Sequence, residues 1–120
     1  METRERFAVE DYEDELRLAP TNYEIATNLL FENERVRVWE MLLEPGQRVP
    51  FHHHRTPYFW VCQEGGRGIQ RFPDGTMLHV EFESNDFDFL DEERLKTDAI
   101  HDFENSGDRP CRFTTVELLR

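Results

Sequence analysis

The sequence predicts an all-β chain, folded as an antiparallel sandwich or barrel. Three observations carry this expectation. Apolar and polar residues alternate in short runs, as in Val36-Arg37-Val38-Trp39-Glu40-Met41, the pattern of a half-buried strand. Turn-forming Gly and Pro recur between the runs, as in Glu44-Pro45-Gly46 and Pro73-Asp74-Gly75. No helical pattern separates the strands, whereas parallel strands need long crossovers that are usually helices.

In chain order, residues 1–8 are polar and expected to be loose. Glu10 to Leu18 is expected to form a short helix, with Val9, Tyr12 and Leu16 on one face. Ala19-Pro20 should end it, because a residue before proline avoids the helical region. From Tyr23 onward the pattern is one of short strands. After Val36–Met41 these are Arg48–His54, Tyr58–Gln63, Gly68–Phe72, Met77–Phe82, Asp86–Leu90, Thr97–Glu104 and Arg112–Leu118. Gly65-Gly66 breaks one run, and Asp74-Gly75 suits a hairpin turn. Asp91–Lys96 is charged and reads as a loop or a single helical turn. The division is an N-terminal extension with a short helix, residues 1–22, and one β domain, residues 23–120.

At 120 residues, 38% hydrophobic and with ten Phe, the chain has enough apolar material for one packed core. Its net charge is −12, with 26 acidic against 14 basic side chains. Clustered cations are what phosphate backbones require, so nucleic acid and anionic membrane surfaces are excluded as partners. Cys62 and Cys111 are far apart and in no C-x-x-C pattern, and read as buried thiols. A basic-then-apolar leader is missing, as is any apolar run near the ~20 residues of a membrane span. The expected location is cytoplasmic.

Four of the five histidines fall in two windows. On a strand, residues two apart share a face, about 7 Å apart, so His52 and His54 can converge on one ion while His53 points away. Neutral imidazole is the commonest metal ligand, and His101 is the best candidate for a third. His79 lies in a hairpin without a partner and reads as structural.

The full spacing resembles the paired signatures of the cupin superfamily. The first signature, Gly, five residues, His-x-His, three or four residues, Glu, six residues, Gly, matches at Gly46, His52, His54 and Gly65. Tyr58 falls in the Glu position; the four-residue spacing puts Phe59 there and ends on Gly66. The acidic ligand is absent either way. The second signature matches at His101 and Asn105, while its Pro and two Gly fall on Lys96, Leu90 and Asp98. The stretch from Asn33 into Pro45-Gly46 also looks like the opening strand of many small bacterial cupins, and the resemblance covers roughly residues 30–118.

The resemblance implies a jelly-roll β-barrel with the ligands in its mouth, and a homodimer paired through a sheet edge. It implies one divalent ion held by His52, His54 and His101, with iron first and zinc, nickel or manganese as alternatives. Three neutral imidazoles leave open positions on the ion, as in the three-His iron dioxygenases of this fold. An Fe(II) dioxygenase acting on a small organic substrate is therefore the leading expectation. A non-redox lyase or isomerase, or a non-catalytic binding cupin, are the alternatives. Tyr58 is the candidate catalytic side chain, with Trp60 and Cys62 on its face; Glu104 is a second candidate for proton transfer.

Overall fold

A computed structural model describes residues 2–120. The described residues form ten strands and two short α-helices. The strands are β1 (Glu2–Arg6), β2 (Asn28–Glu32), β3 (Val36–Leu43), β4 (Arg48–His53), β5 (Tyr58–Glu64), β6 (Gly66–Arg71), β7 (Thr76–Phe82), β8 (Phe87–Leu90), β9 (Ile100–Asn105) and β10 (Cys111–Leu118). Helix α1 is Glu13–Leu18 and α2 is Glu92–Asp98. All pairings are antiparallel. They build two five-stranded sheets, ordered β1-β7-β6-β9-β4 and β2-β3-β10-β5-β8. The jelly-roll expectation holds as two facing sheets with free edges, not as a closed barrel.

Five local expectations need correction. Residues 2–6 are not loose: they pair with Thr76–Val80 as an edge strand. Strand β2, Asn28–Glu32, is an element that no sequence pattern marks. The expected Glu10–Leu18 helix is instead a 3-10 turn at Val9–Tyr12 followed by α1. Pro20 does not end the helical stretch, which continues as a 3-10 turn over Ala19–Thr21. Proline sits in the first turn there, where a missing N–H breaks no bond. The run Thr97–Glu104 is split, because α2 reaches Asp98 and the strand starts at Ile100. Helix α2 is started by the Asp91 side chain, which accepts from the Arg94 N–H.

The core lies between the sheets. Met41, Leu43, Val49, Cys62, Phe103, Cys111 and Phe113 form one buried cluster, with Trp60 and Phe82 against it. Phe113 is its hub, meeting Phe82, Phe103 and Trp60 edge-on at 5.0, 5.5 and 5.6 Å between ring centres. Such contacts add about 0.5–1.5 kcal/mol each beyond burial. Gly68 makes room for this cluster: a Cβ there would stand 2.5 Å from the Phe103 ring. Both cysteines are free and buried, as expected, and burial pushes each thiol up to about 11.

The two ends of the cupin-like motif meet away from the histidines. Gly46 turns with φ +85° and donates its N–H to the Asn105 carbonyl at 2.8 Å. The buried Asn105 side chain donates to the carbonyls of Leu43 and Arg109 and accepts from the Gly107 N–H. Gly46 and Asn105 thus close one end of the β4–β9 pair.

Candidate metal centre

Strands β4 and β9 carry the histidines, and a bulge decides where they point. Val49 pairs with Phe103, and His52 pairs with His101. Three steps on β4 thus match two on β9, the signature of a β-bulge. Without the extra residue, alternation from the inward Val49 would send His53 inward. With it, His52 and His54 face the interior and His53 faces out. His53 packs near Tyr23, and its Nδ1–H donates to the Pro20 carbonyl at 3.0 Å.

The three inward rings converge. His54 Nε2 lies 3.1 Å from His52 Nε2 and 3.2 Å from His101 Nε2. All three are buried, at 2%, 4% and 8% exposure. His52 Nδ1 is 2.7 Å from the Pro50 carbonyl. A carbonyl only accepts, so the proton is on Nδ1 and the Nε2 lone pair faces the cluster. One N–H on His54 Nε2 cannot serve both neighbours, and buried His54 Nδ1 has no partner. Burial holds the His52 imidazole down to about 4. Burial, then mutual repulsion, holds His54 and His101 well below their ordinary value. Three neutral imidazoles with converging lone pairs are the donor set of a divalent transition metal. Two nitrogens at about 2.1 Å and right angles on one ion would lie about 3 Å apart, so the spacing fits. Among the described residues no other cluster of His, Cys, Asp or Glu has metal-binding geometry.

Behind the sheet, a network of charges fixes both ligand strands. Asp102, next to His101, is fully buried and accepts from Arg48, the Arg71 backbone and the Arg71 side chain. Burial pushes its carboxyl upward against the pull of the two guanidiniums. Glu15 from α1 takes both ends of the Arg48 fork and also accepts from the Phe51 N–H at 2.6 Å. Burial works to raise its carboxyl, but the bonds from Arg48 and Phe51 outweigh it and leave it lowered. Phe51 lies within the bulge and precedes His52. Arg48 and Arg71 also lie over the Tyr12 ring, at 4.9 and 5.2 Å. The N-terminal segment therefore braces the histidines from behind.

In front of them opens a cavity of about 400 Å³. Tyr58 forms part of its wall and lies flat on His54, with ring centres 3.9 Å apart and planes 11° apart. Burial pushes the Tyr58 hydroxyl strongly upward, so it stays protonated at neutral pH. Trp60 shares its face in the wall, and Cys62 lies below in the core, as the alternation implied. Phe59 is not in the wall, so the three-residue spacing describes this chain. Glu104 is elsewhere: it lies on the face of β9 opposite His101 and binds Arg71 at 2.8 Å. That placement keeps Glu104 out of the cavity wall and rules out proton transfer by it there. His79 is on β7, with Nε2 3.3 Å from a Glu5 carboxylate oxygen. Sequence reading missed Asp88, Arg94 and Asp98 at the cavity mouth. Nothing in their spacing separates them from a solvated charged loop.

No protein-family model and no curated protein sequence matches the chain. Solved structures do. A cupin domain from Bordetella pertussis Tohama I is 21% identical, with a TM-score of 0.66 over 81% of this chain and 95% of that one. A Klebsiella pneumoniae protein with a double-stranded β-helix domain is 22% identical, with a TM-score of 0.60 over 93% of this chain and 87% of that one. A polyketide cyclase from Streptomyces resistomycificus is 20% identical, with a TM-score of 0.56 over 78% of this chain and 63% of that one. These likenesses show the fold: the chain has the double-stranded β-helix fold seen in these cupin domains, and its three histidines form a cluster that could hold a metal ion.

Proposed function

We propose that the chain binds one divalent metal ion through Nε2 of His52, His54 and His101 and acts on a small organic molecule in the cavity before it. The observation that carries this reading is the meeting of three buried, neutral imidazoles, with His54 Nε2 3.1 Å from His52 Nε2 and 3.2 Å from His101 Nε2. With no acidic side chain in the cluster, the ligand set is uncharged, so the ion keeps its full charge and open positions. When bound, it supplies dioxygen activation if it is iron, or Lewis-acid polarisation of a substrate oxygen if it is zinc, nickel or manganese. Iron(II) dioxygenase chemistry is our first assignment.

The protein's own groups have separable tasks. The bulge in β4 and the Arg48–Asp102–Glu15 network hold the imidazoles in place. Tyr58 packs on His54, fixes its plane, and keeps a protonated hydroxyl available to donate to a substrate oxygen. The aromatic wall excludes water from the reacting atoms. A second reading, non-redox lyase or cyclase chemistry, draws on the polyketide cyclase among the fold neighbours. The chain is also proposed to form a homodimer and to work in the cytoplasm; among the described residues no helix is long and apolar enough to cross a membrane.

Metal analysis of untagged protein, with oxygen consumption followed on a panel of small organic compounds, tests the assignment. Stoichiometric iron with oxygen uptake is the expected result. Zinc or nickel without oxygen uptake moves the assignment to lyase or isomerase chemistry, and no metal at all contradicts it.

A further inference from the structure

Apart from the three histidines and Tyr58, the polar side chains that line the cavity fall into two sets. Among the described residues every charged one, Glu2, Arg4, Asp88, Arg94 and Asp98, lies on edge strand β1 or β8 or on α2. Two uncharged ones, Gln70 and Thr115, lie on the inner strands β6 and β10. The strand pairings set these two at matching depth. Phe72 stands edge-on to His101, with ring centres 5.9 Å apart. Gln70 is two residues along β6 from Phe72, on the same face and roughly 7 Å further in. Ile69 pairs with Glu104, which brings Gln70 level with Phe103 of the core. On the opposite sheet Tyr58 pairs with Glu117, and Trp60 pairs with Thr115. Thr115 is therefore also one same-face step, roughly 7 Å, beyond the level of Tyr58.

Each sheet thus places one neutral polar side chain a single step past the histidines. Their surroundings are apolar: Met41, Leu78, Phe103 and Phe113 share this part of the wall. A polar group set among such residues costs free energy unless it has a partner. Among the described residues neither Gln70 nor Thr115 makes a side-chain hydrogen bond, and neither carries a sealed polar atom, so both face the open cavity. The amide offers two N–H donors and a carbonyl acceptor, and the hydroxyl offers one donor and two lone pairs. Such a pair answers a group that both donates and accepts, which is a hydroxyl. Charge belongs at the other end, where the dication of the proposed site takes a phenolate or a carboxylate oxygen.

We infer that Gln70 and Thr115 are specificity-determining residues, which hold an uncharged hydroxyl at the end of the substrate remote from the metal-bound oxygen. This inference rests on the metal reading and narrows its substrate class. The molecules it selects have an apolar body, an oxygen donor for the ion at one end and a hydroxyl at the other, roughly 7 Å away.

The test uses the full chain loaded with zinc, which undergoes no redox chemistry, with zinc content measured first. The probes are two pairs whose members differ only in a remote hydroxyl: 2-naphthol with 2,6-dihydroxynaphthalene, and 2-naphthoate with 6-hydroxy-2-naphthoate. Affinities are measured by titration calorimetry. In each pair the added hydroxyl should tighten binding about ten-fold, the size of one or two net hydrogen bonds, whichever oxygen group meets the ion. That gain should fall at least three-fold in the near-isosteric variants Gln70→Met and Thr115→Val, with 2-naphthol affinity and zinc content at parent level. Thr115→Ser, which keeps the hydroxyl, should keep the gain. No gain in the parent, a gain that survives both substitutions, or no binding of any probe to zinc-loaded protein overturns the inference and leaves the metal reading standing. So do substitutions that weaken both members of a pair alike, the mark of a merely structural side chain. If the chain retains no zinc, the metal reading fails instead. The same two pairs titrated against metal-free protein then decide the hydroxyl preference by themselves.

Discussion

At the scale of single residues, each of the three histidines is inward for a local reason, and Tyr58 is tied to one of them. Because Tyr58 stacks on His54 without sharing the nitrogen cluster, Tyr58→Phe should keep both fold and metal while lowering turnover. Metal content and rate, measured together, check this. The histidines also set an acid limit. Burial holds His52 at about 4, against about 6.5 for an unfolded histidine, and His54 and His101 are likewise lowered. Between those values the unfolded chain binds more protons than the folded one. Stability from these groups is therefore full above pH 6.5 and lost as the pH falls towards 4. Metal-free protein should show a melting temperature that drops steadily over that window; a flat profile would contradict the burial of neutral imidazoles. The His-x-His pair and the distant His101 were legible in the sequence because alternation and spacing suffice to suggest them. The mouth residues Asp88, Arg94 and Asp98 were not, because a charge at a cavity rim has the same sequence character as a charge in solvent.

At the scale of elements, the central feature is the bulge in β4, and it is what sequence alternation alone does not show. Plain alternation from the inward Val49 selects Phe51 and His53, while the inserted step selects His52 and His54. The bulge is held by Glu15, from a segment 36 residues earlier in the chain. Glu15→Gln removes a charge from the Arg48 fork and weakens the bond to the Phe51 N–H. It should cost about 1.5–3 kcal/mol, the usual range for hydrogen bonds to charged groups, and lower metal affinity as well. A cobalt-substituted sample should show an altered ligand-field spectrum. Loss of stability with an unchanged spectrum would make Glu15 structural only. Arg48→Ala should be worse, by about 3–5 kcal/mol, because it strips the buried Asp102 of a partner; denaturant unfolding measures it. Two elements escaped the sequence for a common reason. Strand β1, Glu-Thr-Arg-Glu-Arg, is exposed along its whole length, and so is β2, Asn-Leu-Leu-Phe-Glu. Edge strands wetted on both faces show no alternation, so no periodicity marks them.

At the scale of the whole molecule, two sheets meet around an aromatic core, and the cavity opens beside the ligand strands. The fold class was legible because inner-face residues alternate and the turns carry Gly and Pro. The open edges were not, because closure depends on pairings that no local pattern encodes. One edge bears on assembly. Leu29, Leu30 and Phe31 on β2 are about half exposed, at 46%, 57% and 55%, on a strand with one free side. An antiparallel pairing of two β2 strands centred on Leu30 would set Leu29 against Phe31 and cover an edge that soluble proteins otherwise blunt with charge. Sedimentation should give a dimer for the parent chain and a monomer for Leu30→Lys. A monomeric parent would contradict the proposed homodimer and leave the metal site untouched.

The central claim is that His52, His54 and His101, and not their neighbour His53, form one metal site. The most direct measurement is a zinc titration, monitored by calorimetry, of the parent chain beside His52→Ala, His54→Ala, His101→Ala and His53→Ala, with circular dichroism confirming that each is folded. The predicted result is one site per chain, lost or weakened at least a hundred-fold in the first three variants and unchanged in His53→Ala. Parent-like binding in any of the first three, or loss of binding in His53→Ala, would contradict the site.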